Sequence, residues 1–232
     1  MKYTITIPRK IVEAISLFQS RDTSREIINA MSVEVRRVGP TAANVTLAAV
    51  NGRILGAYFA EGIEFDTGEP LPPDFAHDFI FNFEQALLLA PITVGHDAQT
   101  VLYIEVDVTA ETVEFHNLHR GSAFIGRMVP GTFPAWRQLF SDASEPKPIV
   151  WAFDFALLTR FAHASRLLAK PTYVAPYEDA RENLTVAGTE RGRAITVGIS
   201  DPHFMGIIMP LNIADEDMPH WGWAKMFEQP TP

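Results

Sequence analysis

Three stretches of this 232-residue chain repeat one pattern, a strand, then a helix, then three strands, and that repetition limits the fold more than any other feature. The first begins with the alternating Tyr3-Thr-Ile-Thr-Ile7 and passes into a helix opened by Pro8, with Ile11, Ala14, Ile15 and Phe18 on one face. Strands follow over 30–38, 44–50 and 53–60. Asn51-Gly52 joins the last two and predicts a type I′ hairpin, whose central residues both need positive φ. The second stretch starts at 78–82, predicts a short helix over 83–90 stopped by Pro91, and continues in strands at 100–107, 112–118 and 123–129. The third starts at 148–153. There Asp154 is placed to cap a helix running to Ala169, and strands follow at 183–188, 193–200 and 204–211. Three copies of one supersecondary unit mark a tandem duplication.

Two connections punctuate the repeats. Residues 67–74 are proline-rich and read as a surface crossing. Val129-Pro-Gly-Thr-Phe-Pro-Ala-Trp136 carries two prolines, which fix φ, and a glycine, which permits positive φ, so it predicts a rigid exit from a sheet.

Composition narrows the function. With 47% hydrophobic and 20% charged residues the chain is ordinary globular protein, long enough to bury a core without disulfides or metals. It has no cysteine, which excludes thiolate metal sites and cysteine nucleophiles. No apolar run is long enough for a membrane-spanning helix, and the first residues lack a signal-peptide pattern, so a cytoplasmic location is expected. The net charge of −9 is uneven: between Ile54 and Leu118 there are twelve acidic residues and no Lys or Arg. Any contact with nucleic acid must come from outside that third.

Catalytic signatures are missing from the sequence. It holds no Gly-x-Ser-x-Gly elbow, His-Glu-x-x-His pair or P-loop, and Gly188-Thr-Glu-Arg-Gly-Arg193 lacks dinucleotide-binding glycine spacing. His116 and His119 have no carboxylate pattern around them, and Asp215-Glu216-Asp217 reads as a solvated run. No enzyme, cofactor or metal is expected.

The predicted helix over 154–169 has two chemically distinct faces. Leu157, Phe161, Ala164 and Leu168 form an apolar stripe, and Thr159, His163, Arg166 and Lys170 a polar one. The first helix offers Arg9, Lys10 and Ser16 away from its core face, together with Glu13.

The strand 122–129 and the turn Gly131-Thr-Phe-Pro-Ala-Trp136 resemble the strand and "GxFPxY" turn that lead from the central to the third domain of bacterial DNA polymerase sliding clamps, the β-clamp family. Ala135-Trp136 stands where the family has Asp-Tyr. Ala49-Val-Asn-Gly-Arg-Ile-Leu55 resembles the family's "ATDGHRLA", matching at Gly52 and Leu55, and Met209-Pro-Leu-Asn-Ile213 resembles "MPxRL" without the arginine. The resemblance covers residues 1–213. It implies an α+β, DNA clamp-like fold of tandem β-α-β-β-β half-domains with helices on one face of antiparallel sheets. The expected division is a domain over 1–131 made of half-domains 1–62 and 75–131, a third half-domain over 132–213, and a tail over 214–232.

The same resemblance implies a role. A non-catalytic, sliding-clamp-like replication factor would set Arg9, Lys10, Thr159, His163, Arg166 and Lys170 toward double-stranded DNA. It would take peptides of a polymerase or other client in a cleft formed by Val50, Gly52 and Leu55 on one side and Met209, Pro210 and Leu211 on the other. The alternative is a clamp-fold adaptor or inhibitor that no longer encircles DNA. Three half-domains leave one without a mate, with an open strand edge and an apolar helix stripe, so a second copy is expected to cover it. That gives a dimer at least, and a ring from four chains. The tail segment Met218-Pro-His-Trp-Gly-Trp-Ala-Lys-Met-Phe227 is apolar enough to be expected to dock on its own or a neighbouring subunit.

Overall fold

Alternation in the first strand separates core from surface. In β1 (Lys2–Pro8) Tyr3, Ile5 and Ile7 are buried, while Thr4 and Thr6 between them are half-buried. Pro8, with φ −58°, then caps α1 (Arg9–Ser16), whose Ile11, Val12, Ala14 and Ile15 are all buried. The computed structural model describes residues 1–68, 72–83, 101–117, 122–140, 155–168, 185–187, 195–199 and 201–209. After α1 come β2 (Met31–Arg37), β3 (Ala42–Val50), β4 (Ile54–Asp66), β5 (Ala76–Phe81), β6 (Val101–Asp107), β7 (Thr112–Asn117) and β8 (Ser122–Arg127). A 3-10 turn (Trp136–Phe140), α2 (Phe155–Leu168), β9 (Thr185–Ala187), β10 (Ile195–Gly198) and β11 (Phe204–Ile208) complete the order.

Every strand pair is antiparallel, in a sheet whose main path runs β5-β2-β3-β4-β1-β6-β7-β8. The first two repeats exchange strands. β1 of the first lies against β6 of the second, and β5 of the second lies against β2 of the first. The third repeat joins through β4, which is long enough at 13 residues to serve two neighbours on one edge. Its Ile54–Tyr58 end pairs with β11, and its Glu64–Asp66 end pairs with β1.

The β3–β4 turn differs from the type I′ hairpin that Asn51-Gly52 predicts. Gly52 has φ +90°, but Asn51 does not have positive φ. The amide of Asn51 donates to the Ile54 carbonyl (3.2 Å), so Gly52 and Arg53 are the central pair, with glycine at the first position as in a type II′ turn. The Asn51 side chain explains the shift: its Oδ1 accepts from the amides of Arg53 (2.9 Å) and Ile54 (3.0 Å), a local bond available only when Asn51 precedes the turn.

Both described helices pack on the same face of the sheet and run antiparallel to each other. Phe18, just beyond α1, meets Phe161 of α2 edge to face, with centroids 4.9 Å apart. The apolar stripe of α2, Leu157, Phe161, Ala164 and Leu168, is buried as expected, but its cover lies within the chain, on α1 and β11. A second copy is not needed to cover that stripe. The predicted strand 148–153, the helix over 83–90 beyond Phe83, Asp154, His119, Lys170, Pro210, Leu211 and the 214–232 tail lie outside the described residues.

Candidate functional site

The helical face carries a groove between the C-terminal end of α1 and the outward side of α2. Ser16, Leu17, Gln19 and Arg21 line one side, and Thr159, Arg160, His163 and Arg166 the other. Helix C-termini leave carbonyls without intrahelical partners and favour cations, and each helix supplies the other's need. Arg160 Nη1 donates to the Leu17 carbonyl (2.9 Å), and Lys10 Nζ reaches the Leu168 carbonyl (3.4 Å).

This arrangement places the expected DNA-facing residues unequally. Thr159, His163 and Arg166 are exposed together on α2. Arg9, expected to point outward, is 8% exposed, and its Nε donates to Glu13 Oε1 at 2.6 Å. Lys10 is half-buried at the helix pair, and no residue of α1 is exposed. One apolar stripe suffices for a helix on a sheet, but α2 packs beside α1 and takes Lys10 through the Leu168 carbonyl. Arg21 and Arg160 were missed. Arg160 falls between the two stripes of α2, and Arg21 sits in a loop whose position depends on α1 meeting α2.

The opposite face of the sheet carries an apolar trough. Residues Leu55 and Ala57 of β4 point away from the helices, as do their neighbours Ala48 on β3 and Ile207 on β11. All four are buried in one cluster with Trp136, itself 8% exposed, and Val50 and Phe133 pack against that cluster. Phe59, Met205 and Met209 are exposed large apolar side chains of the same strand set.

The segment that brings Trp136 there is tied down along its length. The Val129 amide donates to the Ile80 carbonyl (2.7 Å). Gly131 has φ +125°, a backbone that favours glycine, and a Cβ there would stand 2.8 Å from Ile27 Cδ1, so that side-chain end would have to shift. Arg137 grips the Glu34 carboxylate with both terminal nitrogens, at 2.5 and 2.7 Å, and its guanidinium lies 4.3 Å from the Trp136 ring centroid. A pocket of 790 Å³ lies beside this segment, over the outward side chains of β2 and β5.

Of the expected cleft residues, Val50, Gly52 and Leu55 share one hairpin end. Met209 joins them through a bond from its amide to the Arg53 carbonyl (2.7 Å). Leu55 is only 1% exposed, however, inside the cluster that also holds Trp136. Phe133 and Trp136 were missed as members of this region, although their aromatic character in an exposed turn was the available signal. Among the described residues no three metal-ligating side chains gather, and no described helix is long and apolar enough to cross a membrane.

No protein-family model and no curated protein matches the sequence. Solved structures do match the fold. The DNA polymerase sliding clamp of Pseudomonas aeruginosa superposes with a TM-score of 0.58 at 12% identity, covering 90% of this chain and 67% of its own. The Bartonella birtlesii sliding clamp bound to griselimycin gives 0.58 at 13%, covering 91% and 66%. The Helicobacter pylori beta clamp bound to a DNA ligase peptide gives 0.50 at 10%, covering 90% and 65%. The chain thus spans about two-thirds of the length of these clamps, and at such identities the likeness is one of architecture: this protein has the fold of the bacterial DNA polymerase sliding clamps.

Proposed function

We infer that this protein is a non-catalytic, clamp-like replication factor that meets duplex DNA at the groove between α1 and α2 and takes client peptides at the β3–β4 hairpin end. The observation that carries the reading is the gathering of Arg21, Arg160, His163 and Arg166 on the helical face of a clamp-fold sheet. Guanidinium groups so placed neutralise phosphates without reading sequence. Lys170 belongs to the same reading. The peptide site rests on Val50, Gly52, Leu55 and Met209, with Pro210 and Leu211 following, and is supported by the ligase peptide held by the Helicobacter pylori clamp. In this reading residues 1–131 make one domain and 132–213 a further half. The protein is cytoplasmic and needs no cofactor. Encirclement requires further copies, a dimer at least and four chains for a ring.

A second reading, a clamp-fold adaptor or inhibitor that does not encircle DNA, is favoured by the consumption of Arg9 and Lys10 inside the protein. Salt-titrated binding to linear and circular duplexes separates the two. The clamp reading expects sequence-independent affinity that falls steeply with salt and longer retention on circles. No affinity for either duplex at low salt overturns it in favour of the adaptor.

A further inference from the structure

We propose that the groove between α1 and α2 is a site for an unpaired adenine nucleotide, whose phosphate meets the groove's arginines and whose base edge pairs with the amide of Gln19. The proposal shares this groove with the duplex reading above and does not rest on it.

Gln19 is the observation that leads there. It is 3% exposed and is the buried member of the groove's described lining, whose other residues are half-buried or exposed. Neither its Nε2 nor its Oε1 has a hydrogen-bond partner, and among the described residues no other buried side-chain polar atom is left so. A donor and an acceptor both unmet in one buried amide are a costly state, and a leucine of similar size would not incur it. A ligand that supplies both partners removes the cost.

The rest of the lining restricts what that ligand is. Arg21, Arg160 and Arg166 bring three guanidinium charges to the groove, and none of its described lining residues is acidic, in a chain whose net charge is −9. The hydroxyls of Ser16 and Thr159 donate to the Glu13 and Ala156 carbonyls, at 2.8 Å each, so an anion here is held by the arginines. Phosphate suits such groups. Anion oxygens can serve the Gln19 nitrogen but not its oxygen, so the ligand must also carry a donor beside an acceptor. Adenine presents that pair as an amino group next to a ring nitrogen, and a glutamine amide bonds to both. The groove's volume of 530 Å³ lies within the range of small-molecule sites. A duplex keeps its base edges inside its own grooves, where only projecting side chains reach them. Gln19 does not project, so the nucleotide that meets it is unpaired, either on its own or as part of a single strand.

The test is calorimetric titration of the full chain at low salt with adenosine monophosphate, the same nucleotide lacking the 6-amino group, inorganic phosphate and a single-stranded oligodeoxyadenylate. Adenosine monophosphate is expected to bind at least about tenfold more tightly than the amino-less nucleotide. Gln19→Leu is expected to abolish that preference and leave phosphate binding unchanged, and Arg166→Glu to weaken every ligand. An oligomer bound with the same dependence on Gln19 while the mononucleotide is refused supports the site and identifies a single strand as the nucleotide's source; the mononucleotide bound and the oligomer refused identifies a free nucleotide. If Gln19→Leu fails to fold, the side-chain amide resonances of the unaltered protein, labelled with 15N-glutamine, decide: one pair is expected to shift with adenosine monophosphate or the oligomer and not with phosphate, and no shift overturns the proposal. Refusal of both nucleotide and oligomer, equal affinity for the two nucleotides, or undiminished nucleotide binding by Gln19→Leu also overturns it and leaves water as the partner of Gln19. Duplex is titrated separately. Duplex bound with nucleotide and oligomer refused sinks this proposal alone, and nucleotide bound with duplex refused sinks the duplex reading alone.

Discussion

Gly56 and Gly206 lie opposite each other in the β4–β11 pairing, and each sits beneath a phenylalanine, Phe18 over Gly56 and Phe161 over Gly206. Neither glycine has positive φ, so the requirement is for space and not for backbone freedom. The two rings touch each other, so this glycine pair lets the helices close down on the junction between the first and third repeats.

Gly206→Ala is therefore expected to destabilise through overpacking, by about 1–3 kcal/mol. Its Cβ would fall well inside contact distance of the Phe161 ring. Urea unfolding of the single variant and of Gly206→Ala with Phe161→Leu checks the cause. The double variant should lose less than the sum of the two single losses, because the smaller side chain makes room for the new methyl.

Arg9, which is buried, and the half-buried Glu13 should behave as a unit. Glu13→Ala leaves an 8%-exposed guanidinium without its 2.6 Å partner and is expected to cost about 1–3 kcal/mol. Replacing both residues by apolar side chains of similar size should recover most of that loss. Denaturant midpoints of the three proteins measure it.

Stability should fall with acidity through His77. Its Nδ1 shares a 2.8 Å hydrogen bond with Tyr3 Oη, and its ring stacks on Phe79. Burial holds its pKa below the ordinary value, with nearby Asp78 opposing and Arg36 adding to the shift. The folded protein thus binds fewer protons here than the unfolded chain. The histidine's contribution is fully present above about pH 6.5 and is lost as pH falls through the lower folded value. His77→Gln should flatten the decline of unfolding free energy between about pH 6.5 and pH 5, measured by urea titration at several pH values. A variant that declines as steeply as the parent would remove His77 as a source.

Arg21→Glu and Arg166→Glu should each weaken duplex binding alike on unrelated sequences, with the salt slope flattening by about one unit per lost phosphate contact. Lys10→Gln makes an informative control. Its ammonium faces the Leu168 carbonyl, so it should lower stability and leave the salt slope unchanged. Fluorescence anisotropy across a salt series distinguishes the three variants.

The repeats, the strands and the buried face of each described helix could be read from the sequence, because periods of 2 and 3.6 are local properties of the chain. Tyr3, Ile5 and Ile7 announce an inward strand face, and Leu157, Phe161, Ala164 and Leu168 a helix stripe, whatever lies opposite. Which edges and stripes meet is decided elsewhere. Every strand offers a chemically similar row of amides and carbonyls, so nothing local tells β4 to take β11 at one end and β1 at the other. Nor does anything in α1 alone show that α2 will pack beside it and draw Lys10 to the Leu168 carbonyl. The same holds for Trp136. Its turn identifies a rigid exit, but only the tertiary structure brings the indole into one cluster with Leu55, 81 positions earlier in the chain, because the trough exists only once three separate strands have paired.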